Sequence, residues 1–383
     1  MSIGVVKFDD PSGDGPGWAS YDGQQARRIN SIGDLETSRA WIVDMGYYAY
    51  MNAKLWQIPH IKRMDYLRVK PAALATELRL GGDPREKLET LSAVYSKSAS
   101  ILVDRCGLDL HGVNQSAAHA LKQSSFWSVP TEQADAVAQA VRESTQESQN
   151  GAGKTGAGTG VIGSSFPRSG YAAYLMSLPV PKGPAWNVIK LPASGVRVGI
   201  NKGQVVKGGE KLLASLAEQV TKTAMFLEVS VLGMPAASAK HSTFGNGANH
   251  PRRWATLPEI LFMSKYAHLE LRSGFGAPLE VEQLPEYPVD PSISGGIVSE
   301  VMWVARTLPP TKDGYNPVGA YLRAYDRIAC GTAAMHLSSY GYQVASYGTG
   351  RVYIYANPQD ANIDKAFLEA GLLPRPTVKR GAK

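Results

Sequence analysis

A mainly α protein is what this sequence predicts: two helical lobes, a basic Gly/Pro-rich middle segment containing a short β-hairpin, and extended arms at both ends. Three observations carry that expectation. Helix-start signals stand in front of apolar residues at helical spacing. Glycine, proline and positive charge concentrate in the middle third. The first 30 residues are rich in Gly, Asp, Ser and Pro, with the isolated aromatics Phe8, Trp18 and Tyr21.

In chain order, residues 1–30 read as an N-terminal arm, able to dock its aromatics on a neighbouring surface. Residues 31–150 read as the first helical lobe. Over 34–57, Leu35, Trp41, Ile42, Met45, Tyr48 and Leu55 fall roughly on one side of a helix. Gly81-Gly82 breaks the chain. Asp83-Pro84-Arg85-Glu86 then supplies an N-cap, a proline at the first helical position and a glutamate at the third, opening a helix over 84–105. Ala134, Val137, Ala138 and Val141 mark another helix within 131–150.

Residues 151–208 form the basic segment. "VRVGI" and "QVV", joined through Asn201-Lys202-Gly203, read as a hairpin carrying Arg197, Lys202 and Lys207. Residues 209–371 form the second helical lobe, with helices expected over 209–234, 256–274 and 359–370 and two more opened at Asp290-Pro291 and Asn316-Pro317. "RVYIYAN" (351–357) is a strand, and 372–383 is a basic C-terminal tail.

Charge is unevenly placed. The chain of 383 residues has a net charge of +7. Residues 151–260 carry 12 Lys+Arg against 4 Asp+Glu and no aspartate, while the flanking parts nearly balance. A solvated face mixes signs, so this asymmetry points to a polyanionic partner. In "KHSTFGNGANHPRRW" (240–254), Lys240, His241, Phe244, His250, Arg252, Arg253 and Trp254 interleave cations for phosphate with aromatic faces for bases. The other reading of this stretch is a surface loop whose Phe244 and Trp254 plug the core, with Arg252 and Arg253 paired to nearby acids.

"SQNGAGKT" (148–155) contains the second half of a phosphate-binding loop, with Ser148 where the first glycine belongs. Such a loop needs a buried strand before it and a helix after it. A polar-faced helix precedes this one, and glycines 156, 158, 160 and 163 follow, so a nucleotide site at Gly151–Thr155 is the weaker alternative to a mobile basic strap at Lys154.

Other chemistry is not signalled. The seven histidines never fall at metal-ligand spacing, and Cys106 and Cys330 read as buried reduced thiols. Hydrolase and zinc-protease motifs are missing. The expectation is a non-enzyme with no cofactor and no metal. No leader and no run of roughly 18 apolar residues is seen, so a soluble protein of the cell interior without a membrane span is expected.

The order of parts resembles the nucleoproteins of non-segmented negative-strand RNA viruses, of the bornavirus, nyamivirus and mymonavirus type. The local match is "LPEYPVDPSISGGIVSEVMWVARTLPPTKDGY" (284–315), a proline-rich loop, a small-residue turn and a helix with a central aromatic. That resemblance implies a clamp on single-stranded RNA in a basic cleft. Lys154, Arg168, Lys182, Lys190, Arg197, Lys202 and Lys207 would stand on one side, and Lys240, Arg252 and Arg253 across it. It also implies homo-oligomers built by arm exchange, a viral polymerase or phosphoprotein-like cofactor as partner, and a place in the virion nucleocapsid or the host cytoplasm or nucleus. The stretch 150–209 is longer than a simple hinge, which keeps open a capsid or coat protein of another RNA-virus class, forming a closed shell or rod.

Overall fold

The structure, a computed structural model, describes residues 3–10, 12–13, 15–63, 75, 80–106, 134–145, 160–182, 186–234, 243, 253–281, 317–348 and 350–375. The chain divides into two compact units, one of residues 1–124 and 283–311, the other of residues 125–282 and 312–383. The mainly α expectation is overturned: three β-sheets share the molecule with the helices.

The first unit is built on strands β1 (Ile3–Phe8), β2 (Gly17–Tyr21), β3 (Arg27–Ile29), β4 (Ala40–Val43) and β5 (Ile61–Arg63). Their order is β3-β2-β1-β4-β5; β1, β2 and β3 are antiparallel neighbours, whereas β4 and β5 run parallel to β1. One face buries Val6, Phe8, Ile29, Trp41, Val43 and Ile61. Against the sheet lies α2 (Pro84–Cys106), which follows a short helix α1 (Tyr47–Asn52). Ser96 of α2 ties the start of β1, its Oγ accepting from Ile3 N at 3.0 Å and donating to Ile3 O at 2.8 Å.

Residues 1–30 are therefore no arm. Asp9, Asp10, Gly13, Gly15 and Pro16 lie between β1 and β2, and composition averaged over thirty residues concealed "IGVVKF" and "GWASY". The helix expected over 34–57 is likewise replaced by β4 and the six-residue α1. The helix at 84–105 forms as its cap predicts.

The second unit contains α3 (Ala134–Thr145), β6 (Gly160–Ser165), α4 (Arg168–Met176), β7 (Val180–Pro181), β8 (Asn187–Ile189), β9 (Val196–Asn201), β10 (Gln204–Val205), α5 (Glu210–Gln219), β11 (Thr223–Gly233), β12 (Trp254–Thr256), α6 (Leu257–Met263), β13 (His268–Glu280), α7 (Pro317–Ser339), β14 (Gln343–Gly348), β15 (Arg351–Ala356) and α8 (Ile363–Glu369). Its large sheet runs β10-β9-β13-β11-β12. One edge of β13 is covered piecewise by β9, β8 and β7, which pair in turn with residues 268–271, 274–276 and 279–280. A smaller sheet has the order β14-β15-β6.

Both helices expected in this unit's centre end early and give way to strands. The apolar residues of 223–233 are dense enough to fit either period, and β-branched Val229 and Val231 alternate with polar neighbours. The tail is also not an extended arm as far as it is described. Leu372 is buried, Leu373 N donates to Ser165 O at 2.8 Å, and Arg375 grips Asp364 through two guanidinium contacts of 2.9 and 3.0 Å. Residues 376–383, the 284–315 passage and the 148–155 loop lie outside the described residues, and the chain after that loop enters strand β6.

Candidate functional site

The long strands β11 and β13 set the geometry. Leu227, Val229 and Val231 on β11, with Leu269 and Leu271 on β13, face a core completed by Leu216 of α5 and by Leu257, Ile260 and Met263 of α6. Ile189, Leu191, Val196 and Val198 pack on the same core. Because successive strand residues point to opposite faces, Arg197, Glu228 and Glu270 belong to the other face.

That other face is split in two. Toward one end it is aromatic. Phe226 meets Trp186 at 5.6 Å and Tyr321 at 5.5 Å between ring centroids, and Trp254 stacks on Phe275 at 5.7 Å. Tyr321 of α7 closes it: its hydroxyl accepts from Met225 N at 2.6 Å and donates to Met225 O at 3.1 Å.

Toward the other end the face is charged. The register shifts between Leu227, opposite Gly274, and Val229, opposite Leu271, so that Arg272 and Ser273 together face Glu228. Such a bulge re-aims side chains. Gly274 is required there, since a Cβ would collide with the Phe226 carbonyl. Arg272 thereby reaches both carboxylates, with Nη2 2.9 Å from Glu270 Oε1 and Nη1 3.6 Å from Glu228 Oε1. Arg253 Nε donates to Glu228 Oε1 at 2.9 Å, and Arg197 Nε lies 3.7 Å from Glu270 Oε2. The hydrogen bond that Arg253 donates to Glu228 raises the Arg253 pKa. The result is a row Arg197–Glu270–Arg272–Glu228–Arg253 across β9, β13 and β11 to the residue preceding β12. A third carboxylate, Glu143 of α3, accepts from Arg253 N at 3.1 Å and from the Gln139 amide at 2.9 Å.

Beside this row runs a lysine edge. Lys202 and Gly203 form the two-residue turn between β9 and β10, with φ of 49° and 80°. Positive φ at both positions is the hairpin geometry that fits strand twist. Lys207 follows β10, and Lys190 lies between β8 and β9. All three are exposed, and none has a hydrogen-bond or carboxylate partner among the described residues.

The sequence-predicted residues thus fall into three groups. Lys190, Arg197, Lys202, Lys207 and Arg253 are brought to the charged end and edge of one sheet. Lys182 is exposed but paired with Glu280 at 2.8 Å. Arg168 begins α4, and Lys154, Lys240 and Arg252 lie outside the described residues. Sequence reasoning missed Arg272, Glu228 and Glu270. Nothing local singles them out, because the alternation of "LELR" over 269–272 acquires meaning only once 256–274 is not read as a single helix, and Glu228 lies in a stretch that also reads as helix.

Two buried clusters complete the second unit. Arg327 donates to both oxygens of Glu259, at 2.8 and 2.9 Å, and to Ser144 O at 2.8 Å, joining α3, α6 and α7. Asp326 Oδ1 accepts from Tyr171 Oη and from Gly350 N, each at 2.7 Å, with Cys330 Sγ 3.6 Å away. Burial, and then the Asp326 carboxylate, push the Tyr171 hydroxyl and the Cys330 thiol far up, so both stay protonated.

In the first unit, Asp9 and Asp10 follow β1 and Asp44 follows β4, where the strand order reverses. Open α/β sheets bind ligands at such places, but these carboxylates are engaged. Arg28 pairs with Asp9 and holds its pKa down, and Asp10 accepts from Ser12 N at 2.8 Å. Among the described residues, no group of three His, Cys, Asp or Glu side chains is arranged to hold a metal ion, and no helix is long and apolar enough to cross a membrane.

No protein-family model and no curated protein matches the chain. Among solved structures it is similar to Phi29 DNA polymerase complexed with primer-template DNA and incoming nucleotide substrates, at 12% identity and a TM-score of 0.41, over 92% of this chain and 80% of that one. The orthorhombic crystal form of Phi29 DNA polymerase gives 12% identity, 96% and 82% coverage and a TM-score of 0.40. Both of these structures are of a DNA polymerase, and neither is of a nucleoprotein. The expectations of an encapsidating nucleoprotein and of a non-enzyme are corrected here and not carried further. The physical ground for the first correction lies in the fold: where two helical clamp lobes were expected, each unit is organised around β-sheet.

Proposed function

We propose that this protein binds nucleic acid, DNA or RNA, through phosphate contacts along the lysine edge of the second unit. The single observation that carries the reading is the set of exposed lysines, Lys190, Lys202 and Lys207, with no carboxylate partner among the described residues, in a stretch of sequence with a threefold excess of base over acid. Unpaired ammonium groups at a sheet edge attract a phosphodiester backbone by releasing its condensed counterions. They carry no sequence preference, because phosphate contacts position a strand without reading its bases.

Fluorescence anisotropy with labelled 30-nucleotide single strands of DNA and of RNA, and with a duplex, tests this over a salt series. The expected result is binding that weakens with salt. In a Lys190→Glu/Lys202→Glu/Lys207→Glu variant it should be lost or reduced more than tenfold, with the log–log salt slope shallower by about 0.7 for each single-strand contact removed. Absence of binding at low salt, or an unchanged variant, overturns the reading. The same mixtures supplied with Mg²⁺ and nucleotides report any change in strand length, and so any catalysis on the bound strand.

A further inference from the structure

We infer that the guanidinium groups of Arg197, Arg272 and Arg253 form a second phosphate-contacting track, which crosses the strands of the large sheet and carries one phosphodiester strand over its charged end. This deepens the nucleic-acid reading and rests on it.

The row has two layers. The Glu270 and Glu228 side chains are mostly sunk, 11% and 17% exposed, while Arg197, Arg272 and Arg253 rise above them at 66%, 45% and 61%. An approaching strand therefore meets positive groups first, with the carboxylates beneath. Among the described residues, Arg197 and Arg253 also keep guanidinium donors in hand, whereas Arg272 is held by Glu270 and Glu228. Arg197 stands too far from Glu270 for a hydrogen bond, and Arg253 spends only Nε on Glu228. A guanidinium has five N–H donors in a fork that matches phosphate oxygens. Lys190, exposed and between β8 and β9, adds a charge that has no carboxylate partner among the described residues.

Spacing agrees with the ligand. From β9, past β13 and β11, to the residue preceding β12 is three strand spacings, about 14 Å. A stacked strand carries one charge per about 3.4 Å of its axis, so roughly four phosphates span the row. The aromatic end, closed by Tyr321, borders the track on the same face.

The test is the salt dependence of binding by Arg197→Ala, Arg272→Ala and Arg253→Ala, singly and together, on the same labelled strands, with thermal melting of each variant in parallel. Each single change should weaken binding several-fold and flatten the log–log slope by about 0.7, and a triple Arg→Lys variant should restore the slope by restoring charge. If Arg272→Ala does not fold, Arg197→Ala and Arg253→Ala carry the test, since both side chains are mostly exposed. If the lysine-edge variant loses binding while all arginine variants match wild type in affinity and slope, the track is wrong and the nucleic-acid reading stands. If the wild-type protein binds no strand, both fall.

Discussion

Two arginine–glutamate pairs in the second unit have nearly the same local geometry and opposite surroundings. Arg327 Nε sits 2.8 Å from Glu259 Oε1 with side chains 4% and 0% exposed, and Arg253 Nε sits 2.9 Å from Glu228 Oε1 with side chains 61% and 17% exposed. In the first pair the remaining groups are also committed, Arg327 to the Ser144 carbonyl and Glu259 to the Thr256 hydroxyl at 3.3 Å. In the second, most of the guanidinium faces water. Burial turns the same bond into a structural joint among three helices, whereas exposure leaves a weakly held cation that a ligand can recruit.

Breaking the buried joint should have the largest effect. Arg327→Met strands the Glu259 carboxylate, and a loss of about 3–5 kcal/mol is expected in chemical denaturation. Adding Glu259→Leu should recover most of it, because the desolvated charge is then gone. A double variant as unstable as the single one would show that hydrogen bonding, rather than charge burial, dominates.

Next in size is the Asp326 hub. Asp326→Ala leaves the Tyr171 hydroxyl and the Gly350 amide without their acceptor, at a cost on the order of 3 kcal/mol. Tyr171→Phe in that background should restore part of the loss by removing one stranded donor, measured as a rise in the denaturation midpoint. Arg253→Ala, by contrast, should change stability by less than about 1 kcal/mol. A larger loss would place this pair with the buried joint and weaken its assignment to ligand contact.

The smallest effect concerns acid. The Arg375 guanidinium hydrogen-bonds Asp364 and lowers its pKa. A carboxyl depressed on folding stabilises the native state above its unfolded pKa of about 3.9 and loses that contribution as pH falls through the lower folded value. Hydrogen exchange at the Arg375 amide, which donates to Asp364 Oδ1 at 2.9 Å, should therefore speed up below pH 4 relative to its neighbours. In Asp364→Asn that extra acceleration should vanish.

Legibility followed the range of the interaction. The Asp83-Pro84 cap predicted α2, Asn316-Pro317 predicted the start of α7, and Asn201-Lys202-Gly203 predicted the β9–β10 turn, because each signal is complete within four residues. The sequence reads as helix over 223–233 and 268–274, where strands form, because their partners lie 35 to 55 residues away and local apolar density fits both periods. The site divided the same way. Arg197, Lys202, Lys207 and Arg253 stood out by charge and setting, but Arg272, Glu228 and Glu270 carry no local mark.

By itself the sequence determined the concentration of positive charge in residues 151–260, the caps and turns that start elements, and the apolar stock of the cores. Only the tertiary structure decided which of those charges are neutralised and which stand free. Arg253 and Lys202 are equivalent in composition, yet cross-strand register sets the first above Glu228 and leaves the second at a hairpin tip. Coulomb interactions depend on distance and burial, and both are fixed by long-range pairing rather than by order along the chain.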